Sequence, residues 1–152
     1  MAFVNTVDVY GDVATMDMII NRTIVEYRDD SNSTIGDRAF TGCTALVLVD
    51  VPNVTSIHGY AFAGTSWMPE SKCTALTAVI LRNEDFVVTL LGSDAFSYSA
   101  IASGTGYIYV PSALLATYKA ATNWSTYAAQ FRGLEDYTVD GTTTGELDET
   151  KI

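Results

Sequence analysis

Residues 35–49 read IGDRAFTGCTALVLV, and residues 57–65 read IHGYAFAGT. Each opens on an aliphatic residue, places a glycine one or two positions later, and then brings Ala-Phe. Ile35 recurs as Ile57 and Phe40 as Phe62, the same spacing of 22 in both cases. The stretch CTALVLV at 43–49 returns as CTALTAV at 73–79, a separation of 30. The excess over one period is placed around SWMPESK, 66–72. A third copy begins at LGSDAF, 91–96, and its Phe96 follows Phe62 at a spacing of 34. The chain therefore carries about three copies of one unit, with a period of 22 and one insertion.

A unit this short cannot bury its own apolar side chains. Stacked copies can, because equivalent residues then line up along a continuous core. The expected ladder is Ile35, Phe40, Leu46, Val49, Ile57, Phe62, Leu76, Val79, Leu91 and Phe96. The strand of each copy is read at Leu46–Val51 and Leu76–Leu81, with Pro52 suiting a strand exit because it lacks a backbone donor. Ile24–Tyr27 reads as the strand of a partial first copy, and YIYV at 107–110 as an alternating strand.

The ends depart from the repeat. Ser112 starts a helical pattern through Leu114, Leu115, Tyr118 and Ala121. A second short helix is expected from Ser125 through Phe131, stopped by Gly133. Trp124, Tyr127 and Phe131 are expected to cover the open end of the stack. The fold class expected is α+β: a short solenoid of about three coils, capped by C-terminal helices. Its parts are a non-repeat docking segment at 1–19, the repeats at 20–110, the helical cap at 111–134 and an acidic tail at 135–152.

Composition restricts the partners. The 152 residues are 48% hydrophobic and 17% charged, too apolar for a disordered chain. Eight Lys+Arg against eighteen Asp+Glu give a net charge of −10. Phosphate neutralisation needs clustered cations, and these are scattered, so neither a nucleic acid nor an anionic membrane is an expected partner. No apolar run approaches the roughly 20 residues of a membrane-spanning helix. The N-terminus lacks the pattern of a secretory signal peptide.

The chemistry-bearing residues are few. Cys43 and Cys73 occupy the same repeat position. They read as buried thiols, or as a disulfide if their Cα atoms come within about 4.4–6.8 Å. His58 is the single histidine and reads as a turn residue. Asp29–Asp30 and Glu84–Asp85 lack the alternation and glycine of a Ca²⁺ loop. No catalytic residue, metal site or cofactor is expected. Tyr and Trp carry much of the binding energy at interfaces, and Tyr60, Trp67, Tyr98, Tyr107 and Tyr109 fall in turns, the insertion and the edge strand. They form the candidate binding surface.

The stretch IGDRAFTGCTALVLVDVPNVTSIHGYAFAGT resembles the BspA-type leucine-rich repeat family, whose repeats run I-G-x-x-A-F-x-x-C-x-x-L-x-x-I-x-x-P. Residues 80–96 and 101–135, the latter with Tyr-Val-Pro, Tyr-Lys-Ala-Ala and Asn-Trp-Ser-Thr-Tyr, are similar to the terminal module of short members. The resemblance implies a leucine-rich-repeat solenoid with no catalytic role, in bacterial surface adhesins and in proteins of gut phages. The function expected from it is a structural or interaction protein of a phage virion, a capsid decoration or a head or tail appendage made in the host cytoplasm. Its termini are expected to meet other virion proteins or sister subunits, and its surface a host protein or glycan. The alternatives are a bacterial cell-surface adhesin and, further off, a carbohydrate-active enzyme with paired carboxylates.

Overall fold

The repeat period appears in the structure as strand register. In a computed structural model of the chain, residues 24–30 and 33–134 are described. The strands are β1 (Glu26–Arg28), β2 (Thr34–Ile35), β3 (Leu48–Asp50), β4 (Ser56–Ile57), β5 (Ala78–Ile80), β6 (Thr89–Leu90), β7 (Tyr107–Val110) and β8 (Phe131–Gly133). They form a five-stranded sheet in the order β1-β3-β5-β7-β8 and a three-stranded sheet in the order β2-β4-β6. Every pairing is parallel. Tyr27 lies beside Val49 and Ile35 beside Ile57, one period apart in each case. Val49 lies beside Val79, one period plus the insertion further on.

This architecture corrects the expected α+β class and its helix-capped leucine-rich-repeat solenoid. Among the described residues helix is confined to short pieces: α1 (Ala100–Ser103), α2 (Leu115–Ala120), and 3₁₀ turns at Pro69–Ser71, Ser112–Leu114 and Trp124–Gln130. Two parallel sheets with so little helix do not make a clear solenoid. They are compatible with the α/β class without being specific to one fold in it. The segment 111–134 departs most from expectation. Phe131–Gly133 extends as β8 and pairs with β7, so the larger sheet continues past the short helices. Phe131 and Gly133 are buried and Arg132 is half-buried, an alternation that suits a strand and not the helix end read there. The docking segment 1–19 and the acidic tail 135–152 lie outside the described residues.

Both faces of the larger sheet are buried, as parallel sheets require. On one face Tyr27, Val49, Val79, Ile108 and Phe131 lie in register and belong to the main core. On the other, Leu48, Ala78, Ile80 and Tyr109 form a smaller apolar cluster. Between the two sheets runs a ladder of phenylalanines. Phe40 and Phe62 stack at 4.8 Å with 3° between ring planes, and Phe62 and Phe96 at 5.0 Å with 7°. Those separations nearly equal the spacing of neighbouring strands, so the backbone register sets the stack. Tyr27 closes one end edge-on at 5.1 Å, and Tyr127 the other at 5.3 Å.

One expected rung is displaced. Leu91 is 53% exposed, and Leu90 pairs with Ile57 in its place. The third copy has one residue more between the strand and Ala-Phe than the earlier two. Gly92 accommodates the difference by close approach: a Cβ there would stand 2.9 Å from the Cα of Gly59.

β6 is the outer strand of the smaller sheet, and its neighbourhood would otherwise offer bare backbone groups. Side chains from the C-terminal segment take these up. Tyr118 Oη accepts from the Val88 amide at 2.9 Å, and Trp124 Nε1 donates to the Val88 carbonyl at 2.6 Å. Asn123 Nδ2 donates to the Leu90 carbonyl at 2.7 Å. Tyr127 Oη accepts from the Phe96 amide at 3.2 Å and donates to the Ser93 carbonyl.

The larger sheet carries a buried ionic cluster at the far end of its first strands. Asp50, 1% exposed, accepts from Arg28 Nη1 at 3.0 Å and from Arg82 Nε and Nη2 at 2.9 and 3.0 Å. Asp29 is also buried and accepts from the Tyr27 hydroxyl.

Candidate functional site

Each passage from the smaller sheet to the larger one goes through a tight turn whose Ala-Phe pair is buried. Residues 37–43, 59–64 and 93–99 form these turns, and the backbone stacks them. Phe40 N donates to Ala61 O and Phe62 N to Ala95 O, both at 2.8 Å. Gly64 N donates to Ser97 O at 2.9 Å. Flanking the buried pairs in these turns, Asp37, Arg38, Tyr60, Asp94 and Tyr98 are exposed. The turns therefore present a column of side chains on a frame held by the ladder beneath.

Three of the five candidate aromatics stand on this column or its insertion. Tyr60 is 44% exposed, Trp67 75% and Tyr98 50%. Tyr60 and Tyr98 are each flanked by a cation: the Arg38 guanidinium lies 5.0 Å from the Tyr60 ring centroid, and the Lys72 ammonium 5.4 Å from that of Tyr98. Arg38 and Tyr98 both sit at positive φ, 58° and 63°. For a bulky residue such as Tyr98 that conformation costs on the order of 1–3 kcal/mol, and surrounding structure must enforce it. Here the Gly64–Ser97 backbone bond and the buried Phe96 and Ser99 on either side fix the turn.

The other two candidates lie elsewhere. Tyr107, at the start of β7, is half-buried with the Arg132 guanidinium 4.4 Å from its ring centroid. Tyr109 is buried among Leu48, Ala78 and Ile80, so it is not part of an exposed surface. Alternation along YIYV does separate Ile108 from the two tyrosines, but a sheet buried on both faces hides Tyr109 as well.

Beside Tyr98 the turn column opens into a recess of about 560 Å³, lined in part by Lys72, Thr74, Asp94, Ser97 and Ser103. A second recess of about 390 Å³ shares Asp94, Ser97 and Ala102 with it and extends towards Thr126 and Gln130. The sequence reading did not single out Lys72 or Asp94. Lys72 comes from the insertion, where Pro69 opens a 3₁₀ turn that Ser71 braces by donating to Met68 O at 2.6 Å. Asp94 comes from the third turn, where it accepts from the Ser97 hydroxyl at 3.2 Å. The excess length of one repeat was the available signal: an insertion beside a turn column adds a wall to it.

The remaining chemistry-bearing groups are quiet. Cys43 and Cys73 are both buried and are not joined in a disulfide. Burial pushes the Cys73 thiol up to about 12 and the neighbouring Cys43 adds to this; the Cys73 Sγ donates to the Phe40 carbonyl at 3.1 Å. At neutral pH it is a protonated thiol and a poor nucleophile. His58 is half-buried, and its amide bonds the Ile35 carbonyl at 2.9 Å. Among the described residues no three His, Cys, Asp or Glu side chains gather as metal ligands, and no helix is long and apolar enough to cross a membrane. No protein-family model matches the chain, and no curated protein matches its sequence.

Proposed function

We propose that the chain is a non-enzymatic interaction protein of a phage particle, presenting its turn column to a partner on the host surface. The observation that carries this is the exposure of Tyr60 and Tyr98 on turns whose Ala-Phe pairs are locked in the core, with Trp67 exposed on the insertion beside them. Large aromatic rings left in water are ready to supply binding energy, and on a rigid frame they lose little conformational freedom when bound. The short-armed Ser and Thr residues around them can adapt to a partner's hydrogen-bonding groups.

The particle setting draws on the resemblance of residues 35–96 to BspA-type sequences, which include phage and bacterial-surface proteins. Mass spectrometry of purified particles from the producing phage tests it, with the host envelope fraction alongside. The proposal expects the chain in particles at a fixed ratio to the major capsid protein. Recovery in the envelope fraction alone overturns the particle setting in favour of a bacterial surface adhesin.

A further inference from the structure

We propose that the recess beside Tyr98 is a glycan-binding site, and that it takes a neutral oligosaccharide of at least two sugar units. This rests on the binding role proposed above and assigns it a ligand class.

The lining decides the class. A sugar ring has an apolar patch of C–H bonds on one face and a rim of hydroxyls that both donate and accept. The recess offers the matching pair. The Tyr98 ring and the Ala102 methyl are its apolar surface. The rim carries an ammonium, a carboxylate and the hydroxyls of Thr74, Ser97 and Ser103. Asp94 uses Oδ1 for the Ser97 hydroxyl at 3.2 Å, which leaves the carboxylate with further acceptor capacity. Lys72 rests on the Tyr98 ring, a contact worth only about 0.5–1 kcal/mol in an exposed setting. Its ammonium can therefore turn to a ligand oxygen at small cost.

Other ligand classes fit less well. One lysine against one aspartate makes the lining neutral, whereas phosphate recognition gathers several cations or a bidentate arginine. A wholly apolar ligand would cover the Lys72 ammonium and the Asp94 carboxylate without pairing their remaining hydrogen-bonding capacity, which is costly. The volume, about 560 Å³, falls in the range of roughly 300–1,000 Å³ usual for small-ligand clefts.

The number of units follows from the second recess. Asp94, Ser97 and Ala102 line both hollows, so a ligand lying on Tyr98 continues over them towards Thr126 and Gln130. Gln130 Nε2 is committed to the Gly106 carbonyl at 2.8 Å, which fixes the side chain and leaves its Oε1 as an acceptor.

The test is a printed array of neutral and sialylated oligosaccharides probed with the full-length chain, followed by titration calorimetry on the hits. The expected result is binding of neutral oligosaccharides. Tyr98→Gly should weaken it about tenfold or more, since glycine accepts the positive φ while removing the ring. Asp94→Asn should weaken it comparably, and Phe86→Ser, on a separate exposed loop, should leave it unchanged. Absence of any neutral hit, hits confined to sialylated glycans, or full binding by Tyr98→Gly overturns the inference. Attachment of the full-length chain to cells of the phage's host is measured in parallel. Attachment without glycan binding overturns the ligand class and leaves the binding role standing; no attachment at all overturns both.

Discussion

Replacing Phe62 by alanine removes the middle rung of the aromatic ladder. The ring is fully buried and stacks on Phe40 on one side and Phe96 on the other, at 4.8 and 5.0 Å. Truncating a core phenylalanine costs about 3–5 kcal/mol from lost burial and the cavity left behind. The cost here should lie at the upper end. Two stacked neighbours lose their partner at once, and each such pair is worth roughly 0.5–1.5 kcal/mol beyond its buried area. Collapse into the gap is opposed because the turns that carry these rings are held by backbone bonds from Phe40 N to Ala61 O and from Phe62 N to Ala95 O. Against a total stability of about 5–15 kcal/mol, the loss removes a third or more. Urea denaturation followed by far-UV circular dichroism measures it, with Phe62→Leu as a milder comparison. The midpoint for Phe62→Ala should fall steeply with little change in slope. A loss below about 1 kcal/mol would refute the stacked register, because no tightly packed central ring is removed so cheaply.

Three further outcomes follow from the same geometry. Asp50→Ala should destabilise by about 1–3 kcal/mol in the same denaturation assay, because the buried Arg28 loses the nearer of its carboxylates while keeping Glu26 at 3.4 Å, and the partly exposed Arg82 loses its bidentate partner. Gly106→Ala should destabilise by well over the usual helix or strand penalty, since a Cβ there would stand 2.3 Å from the Leu76 carbonyl oxygen; a melting temperature equal to wild type would contradict that approach. Cys73 has a thiol whose folded value, about 12, lies above its ordinary 9.0, so the folded state holds that proton more tightly than the unfolded state. The associated stability is fully present below about pH 9 and is lost as the pH rises towards 12. The raised phenols of Tyr118 and Tyr127 act in the same direction at high pH. Stability measured across pH 8 to 11 should therefore decline, with Cys73 alkylated by iodoacetamide only on unfolding.

The sequence was most informative where a residue repeats at fixed spacing. Ile35 and Ile57, one period apart, and Val49 and Val79, one period plus the insertion apart, become neighbours on paired strands because each holds the equivalent place in its copy. It was least informative where one residue shifts the phase. The third copy reads naturally with Leu91 inside, yet the backbone pairs Leu90 with Ile57, and Gly92 makes the extra residue fit. Phe131–Gly133 illustrates a second limit. A short run with helical neighbours carries no local sign that the edge of β7 is waiting for a strand, and the tertiary pairing decides. Tyr109 shows a third, since alternation separates the two faces of a strand without revealing whether both are covered. Within the candidate site, Tyr60, Trp67 and Tyr98 were legible from residue type and turn position. Lys72 and Asp94 were not, because they meet only when the insertion folds back beside the third turn.

Cell attachment by a chain stripped of its exposed rings decides whether the turn column is the binding surface. Tyr60→Ser, Trp67→Ser and Tyr98→Ser together alter only residues that are 44%, 75% and 50% exposed, so the fold should persist, and its melting curve checks that it does. Fluorescently labelled wild-type and triple-variant chains are titrated onto cells of the bacterial host that the proposed phage would infect. If the turn column is the binding surface, wild type attaches saturably and the folded variant loses attachment about a hundredfold or more, as expected when several aromatic anchors are removed together. Equal attachment by the two folded chains would contradict the account.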